Sequence, residues 1–385
     1  MSTPQTVVIL GGGVGGLVAA RELRRRLPRQ HRVVVVDKQK EHLFAPSLLW
    51  LLVGQREAQS IQRPLKQLER HGIEVRCGEV EKIDPATRQV TVSGEVLAAD
   101  HLIVALGAEL AAETIPGLVE SGHNFYTLAG AESLRAALGN LKKGRVVVMT
   151  AAPAYKCPAA PYEAAMLIDA LFRKTSLRKE IAVEVYAAEP GPMGVAGPQM
   201  SGAVKQLLVE RDIAYHPEHQ VKSVDAVGKR INFSNGAQTD FDVLAFVPPH
   251  RAPRVVRESA LAGETGWISV DRHTLQTPFP GVFALGDVVS IPLALGKPLP
   301  KAGVFAHGEA EVVAQNVAAT ILGTQPTARF TGQGECFVEI GQGRAGRGGG
   351  DFYAEPKPVV AVHAPSRWNH WAKVLFEKDW LWRRL

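Results

Sequence analysis

The sequence predicts an α/β protein made of two Rossmann-like nucleotide-type units and a C-terminal region that ends in an amphipathic helix. Three observations carry that expectation. A glycine-rich turn, Gly11-Gly12-Gly13-Val14-Gly15-Gly16, lies between the apolar strand Thr6 to Leu10 and a helical run from Leu17 to Leu27. The strand, turn and helix pattern starts again near Arg145, this time with no glycine in the turn. The tail from Ser366 to Leu385 holds Trp368, Trp371, Trp380 and Trp382 among lysines and arginines.

Gly11, Gly13 and Gly16 fit GxGxxG, and the next strand, Val33 to Val36, ends at Asp37. The signature is specific because its parts act separately on one ligand. Glycines let the backbone approach a pyrophosphate, the helix N-terminus faces it, and the acid takes ribose hydroxyls. Asp37 and its neighbour Lys38 are therefore candidate cofactor contacts. Trp50, Leu51 and Leu52 read as core, Arg63 to His71 as a basic helix, and Cys77 as a small buried residue at a strand end. The expected divisions are 1–115 and 243–323 for the first unit, 116–242 for the second and 324–385 for the C-terminal region.

In the second unit, Val146 to Ala165 begins as a buried strand and ends as the first turn of a helix. Three prolines and Cys157 stand where a second nucleotide loop needs glycine. Cys157 follows Lys156 and precedes a helix, and both positive charge and free amide groups predict a lowered thiol pKa. Glu163, in that helix's first turn, is either a proton relay or an acid that favours the helix dipole. Farther on, Pro300-Lys301-Ala302-Gly303 opens a helix that runs through Asn316, and Gly334 to Gly341 is a strand carrying Cys336.

Composition removes several function classes. Three cysteines, Cys77, Cys157 and Cys336, are too few and too scattered for a disulfide scaffold or a CxxC metal site. The net charge of +6 is not gathered into a nucleic-acid-binding run. No secretory or twin-arginine signal is expected before Thr6, and no apolar run is long enough to span a bilayer. The aromatic, basic tail suits a membrane surface instead, which predicts a peripheral membrane protein with the membrane face left open.

Asp100-His-Leu-Ile-Val-Ala-Leu-Gly107 and Thr277-Pro-Phe-Pro-Gly-Val-Phe-Ala-Leu-Gly286-Asp287 resemble the two later FAD segments of glutathione-reductase-type flavoproteins. That likeness implies FAD, with Asp287 on the ribityl chain and the following helix N-terminus aimed at the flavin. Lys156-Cys157-Pro158-Ala-Ala-Pro-Tyr-Glu163, Pro300-Lys301-Ala-Gly303, Glu335-Cys336-Phe337 and Trp371-Ala-Lys-Val-Leu-Phe-Glu-Lys378 resemble the sulfide:quinone oxidoreductase and flavocytochrome c sulfide dehydrogenase group over nearly the whole chain. The resemblance implies a redox bridge between Cys157 and Cys336 beside the flavin, with Glu163 and Lys301 assisting. It implies FAD contacts from Gly11, Gly13, Gly16, Asp37, Lys38, Ala105, Gly107, Gly286, Asp287 and Lys301. Two family thiols are absent, one at Phe125-Tyr126-Thr127 and one at Phe44-Ala45-Pro46. The second absence implies non-covalent FAD, and Cys77 stays outside the chemistry. The implied activity is oxidation of hydrosulfide to polysulfide or sulfur, with electrons passed to a membrane quinone and homo-oligomerisation left open. The competing readings are a type II NADH:quinone dehydrogenase, a sulfide dehydrogenase with a cytochrome acceptor, and a non-catalytic redox-sensing flavoprotein.

Overall fold

The computed structural model describes residues 3–384; Met1, Ser2 and Leu385, the last residue of the expected tail, lie outside the described residues. The run Val7 to Leu10 has no polar side chain, so a strand made of it must be covered on both faces. Accordingly β1 (Thr6–Leu10) lies in the middle of a parallel sheet. Helix α1 (Val14–Arg26) returns across that sheet and ends on Arg24, Arg25 and Arg26, whose charges suit the helix C-terminus. Strand β2 (Arg32–Asp37) pairs with β1, β3 (Glu74–Cys77) with β2, and β4 (His101–Val104) with the other side of β1. A small antiparallel sheet, Val80–Asp84, Gln89–Val92 and Glu95–Ala98, joins β3 to β4.

The second unit repeats the plan. It comprises β5 (His123–Asn124), α2 (Leu128–Asn140), β6 (Gly144–Thr150), α3 (Ala160–Lys174), β7 (Ile181–Tyr186), α4 (Pro198–Val209), β8 (Ala214–His216) and β9 (Val243–Val247). Its parallel sheet runs β5-β9-β6-β7-β8, and another antiparallel trio, within 221–240, separates β8 from β9. The chain then supplies β10 (Val282–Ala284), which completes the first sheet in the order β10-β4-β1-β2-β3, and α5 (Gly303–Ile321), which packs along α1. An antiparallel sheet of β11 (Gln333–Glu339), β12 (Ala345–Asp351) and β13 (Val359–Ser366) leads into α6 (Arg367–Arg383).

Three local expectations are corrected. Residues 243–247, expected to begin the return to the first unit, form a strand of the second sheet fully paired with β6; the crossover follows it, where Glu109–Leu110 meets His250–Arg251. Arg63 to His71 is not an α-helix: Gln62–Pro64 is a short strand and Leu65–His71 a 3-10 helix, confined between Pro64 and Gly72 at φ +76°. Cys77 is exposed, because β3 is the edge of its sheet and the residue stands at the strand's end. Trp50, Leu51 and Leu52 are core residues, as their composition requires.

Helix α6 is two-sided in an unexpected sense. Its tryptophans Trp368, Trp371 and Trp382, with Leu375, are 84%, 59%, 71% and 66% exposed. On the opposite side Lys373, Glu377 and Trp380, spaced for one helical face, turn inward and are buried. The charges point into the protein because partners await them. Ser47 Oγ (2.5 Å) and the Arg56 guanidinium (2.8 Å) donate to the Glu377 carboxylate, and Trp380 Nε1 donates to His42 Nε2 at 2.9 Å. With Nε2 accepting, His42 Nδ1 donates to Gly12 O at 2.9 Å, so the last helix supports the first glycine turn.

Glu377→Ala strands the Arg56 guanidinium, which is mostly buried, and leaves α6 without its central anchor. The expected cost is about 3 kcal/mol in denaturant unfolding; a loss under about 1 kcal/mol would show that the pair does not fasten the helix.

Candidate active site

The turn after β1 is shaped by contacts only glycine allows. Gly11 has φ +105°, and a Cβ there would stand 2.3 Å from Ala105 O; a Cβ on Gly16 would stand 1.8 Å from Gly11 O. Gly13 caps α1 without a side-chain bond, and a Cβ on it would meet nothing within 4 Å, so there is open space beside the helix start. Asp37 steadies this turn, with Oδ2 accepting from Gly12 N at 2.6 Å and Oδ1 from Gln39 N at 2.7 Å. Ala105 and Gly107 line the same edge after β4, while Lys38 is exposed at its rim.

Asp287 lies in a 3-10 turn, Gly286–Val288, and burial pushes its carboxyl upward against the charges of Lys156 and Lys301. Among the described residues no donor is hydrogen-bonded to that carboxylate, so it suits a ligand hydroxyl. Lys301 Nζ donates to the carbonyls of Asp287 (2.7 Å) and Val289 (2.9 Å) and stands 3.5 Å from the centroid of the Trp267 ring. Burial brings its pKa down to about 8. The helix that follows Asp287 begins at Gly303, because prolines at 292, 298 and 300 keep the intervening segment irregular. Sequence reasoning missed Glu309, a buried carboxylate on α5 that accepts from Gly286 N at 2.6 Å and is pushed up to about 7 by burial. Open space beside the start of α1, an acid at the end of β2 and an undonated Asp287 carboxylate together fit a dinucleotide carrying a polyol chain.

The second turn is built from side chains. Tyr162 Oη (2.6 Å) and Thr150 Oγ1 (2.7 Å) donate to the Glu189 carboxylate, which also accepts from Tyr155 Oη. On the other flank Tyr126 Oη donates to the carbonyls of Lys156 (2.8 Å) and Cys157 (3.1 Å), and Cys157 N donates to Lys301 O at 2.6 Å. These bonds hold a loop whose Ala154 and Cys157 both have left-handed backbones, φ +68° and +50°. In the sequence Tyr126 marks only the position of an absent thiol.

Cys157 and Cys336 are free thiols, both half-buried, and they meet the same charges. The charge of Glu163 reaches both; this carboxylate is 2% exposed, and its Oε1 accepts from Glu339 N on β11 (2.7 Å) and from Lys373 Nζ on α6 (2.7 Å). The expectation of a lowered Cys157 pKa is overturned. Burial, then the charges of Glu163 and Cys336, push it up to about 12. Burial and then Glu163 push Cys336 up to about 11. The helix starts at Ala160, beyond the sulfur, and the charge of Lys156 bears on Asp287 and His250 instead. Lys373 is the cation that opposes the shift at both sulfurs. Its signal is present in the sequence as the inward spacing of Lys373, Glu377 and Trp380. Cys77 lies apart, with its sulfur 3.8 Å from Lys38 O at the edge of the first sheet.

Residues 5–310 match the family described as pyridine nucleotide-disulphide oxidoreductase. The mitochondrial sulfide:quinone oxidoreductase of Mus musculus is 26% identical over 91% of this chain and 79% of the mouse protein. The sulfide-quinone reductase of Aquifex aeolicus (strain VF5) is 26% identical over 98% of this chain and 90% of its own length. The crystal structure of the sulfide:quinone oxidoreductase of Aquifex aeolicus superposes with a TM-score of 0.89, covering 99% of this chain and 91% of that one.

Tyr126→Phe removes the donor shared by the carbonyls of Lys156 and Cys157. It is expected to cost about 1–2 kcal/mol in denaturant unfolding; an unchanged midpoint would mean that the phenol does not hold the cysteine loop.

Proposed function

The chain belongs to the pyridine nucleotide-disulphide oxidoreductase family, and from that premise we propose that it oxidises hydrosulfide to polysulfide or sulfur and delivers the electrons to a quinone. One observation carries the reading: two thiols from separate elements, Cys157 and Cys336, feel the charges of one buried pair, Glu163 and Lys373. The names of the mouse and Aquifex relatives point to the same substrate and acceptor.

The family carries a flavin, and FAD is the form these residues fit. The α1 amides after Gly13 would face its pyrophosphate, with Gly11 and Gly16 allowing the approach, while Asp37 and Lys38 would take the ribose edge. Ala105, Gly107, Gly286, Asp287 and Lys301 would line the remainder, and Phe44-Ala45-Pro46 offers no thiol for a covalent tether. Bound there, the flavin supplies two-electron transfer between sulfur and quinone.

The protein's own part begins with a bridge between Cys157 and Cys336. Hydrosulfide bonds to one cysteine sulfur, the bond between the cysteines breaks, and the other cysteine leaves as a thiolate. Burial disfavours that anion, so the step requires nearby positive charge. Glu163, whose charge reaches both sulfurs, is the candidate proton carrier for later sulfur release. Lys301 places positive charge under the Asp287 turn, where it would offset negative charge on a reduced flavin held there.

Quinone reaches this site from a bilayer on which the outward face of α6 lies. No described helix is long and apolar enough to cross a membrane, so attachment is peripheral, through Trp368, Trp371, Leu375 and Trp382. An NADH-linked reading has less to stand on, because the second turn is taken up by Tyr155 and its Glu189 bond.

Two outcomes test this function. Anaerobic sulfide should bleach the bound flavin, NADH should not, and Cys157→Ser and Cys336→Ser should each abolish bleaching while retaining flavin. Full bleaching in both variants would end the dithiol reading. Replacing Trp368, Trp371 and Trp382 by alanine should weaken binding to anionic lipid vesicles by at least about tenfold in sedimentation; equal binding would place the membrane surface elsewhere.

A further inference from the structure

The cysteine loop carries Lys156 beside the sulfur in sequence, yet the cation that reaches the thiols comes from the far end of the chain. Lys373 is buried on the inner face of α6, with Nζ 2.7 Å from Glu163 Oε1 and 5.2 Å from the centroid of the Trp50 ring. The same carboxylate oxygen accepts from Glu339 N at 2.7 Å, so one atom joins α3, β11 and α6. The charged groups that bear on the sulfurs are Glu163 from α3, Glu335 from β11 and Lys373 from α6. Glu335 is paired with the Arg347 guanidinium of β12, while Glu339, with His370 Nδ1 3.0 Å from its Oε1, acts on Lys373. Without Lys373, a thiolate there would face the Glu163 carboxylate with its ammonium partner gone.

We propose that Lys373 is a positioning residue of the dithiol site, fixing the Glu163 carboxylate against β11 and supplying the counter-charge for a thiolate on Cys157 or Cys336. The assignment rests on the reading of these two cysteines as the reacting pair. When hydrosulfide opens the bridge, its sulfur bonds to one cysteine sulfur and keeps its proton as a persulfide. The electron pair of the broken bond goes to the other cysteine, and Lys373 offsets that anion. The surface helix is therefore also a wall of the reaction site.

The test is the pH profile of iodoacetamide alkylation at Cys157 and Cys336, read by peptide mass spectrometry on the full, flavin-loaded chain after reduction of the bridge. Lys373→Met should move the midpoint of both profiles upward, lowering the alkylation rate about tenfold at a fixed pH below it. Lys373→Arg should restore the profile, and Lys373→Gln, which keeps a donor to Glu163 but no charge, should behave like Met. If Lys373→Met does not fold, Lys373→Gln decides. Unchanged profiles in a folded, flavin-loaded Lys373→Gln protein would overturn the proposal and leave the lysine as a structural pin. Sulfide turnover is not part of the readout. A chain that fails to oxidise sulfide but shows the shift would refute the proposed function and retain the electrostatic role of Lys373.

Discussion

One carboxylate oxygen organises this protein. Glu163 Oε1 takes both the Lys373 ammonium and the Glu339 amide, so the helix after the cysteine turn, the strand bearing the second cysteine and the final helix converge on it. A buried carboxylate is tolerable only when it is well paired, and here the pairing also sets how the elements dock. Were Glu163 solvated, β11 would lose a hydrogen bond to α3 and Lys373 its reason to turn inward. The two cysteines owe their shared surroundings to that junction rather than to their own loops.

The two parallel sheets show how far one plan can diverge. Both centre one strand, β1 or β6, stack the next two on one side and insert an antiparallel trio before the strand that pairs on the other. In the first, close backbone approach leaves open space at a helix start. In the second, tyrosines and a threonine gather on Glu189 and fill the equivalent space with side chains. The difference is local to the turns, because the sheet beneath needs only its apolar strands. A fold built on strand order can thus exchange a nucleotide loop for a thiol loop without rebuilding its core.

The sequence is most informative where the determining signal is local. Apolar strands, the glycine turn and the start of α3 are fixed by neighbours a few residues away, and they stand where expected. The strand Val243–Val247 defeats a sequence reading because its composition suits either sheet, and only pairing with β6 decides between them. The environment of Cys157 departs from expectation for a related reason. Lys156 is adjacent in sequence, but burial and Glu163 dominate, and both depend on β11 and α6 arriving from the other end of the chain. Cysteine is usually buried, whereas the exposure of Cys77 follows from sheet order, which no single residue encodes. The tryptophans make the tail recognisable, but which side they take depends on Arg56, Ser47 and Glu163 being ready for the charged side.

His42 joins residues from opposite ends of the polypeptide, accepting from the Trp380 indole and donating to Gly12 O. The glycine turn is thus made long before the residue that backs it. During synthesis on the ribosome the first sheet can collapse around its own strands, but His42 lacks its indole donor until residue 380 has emerged. A nascent chain stalled before α6 would therefore carry the glycines in place without the brace behind them.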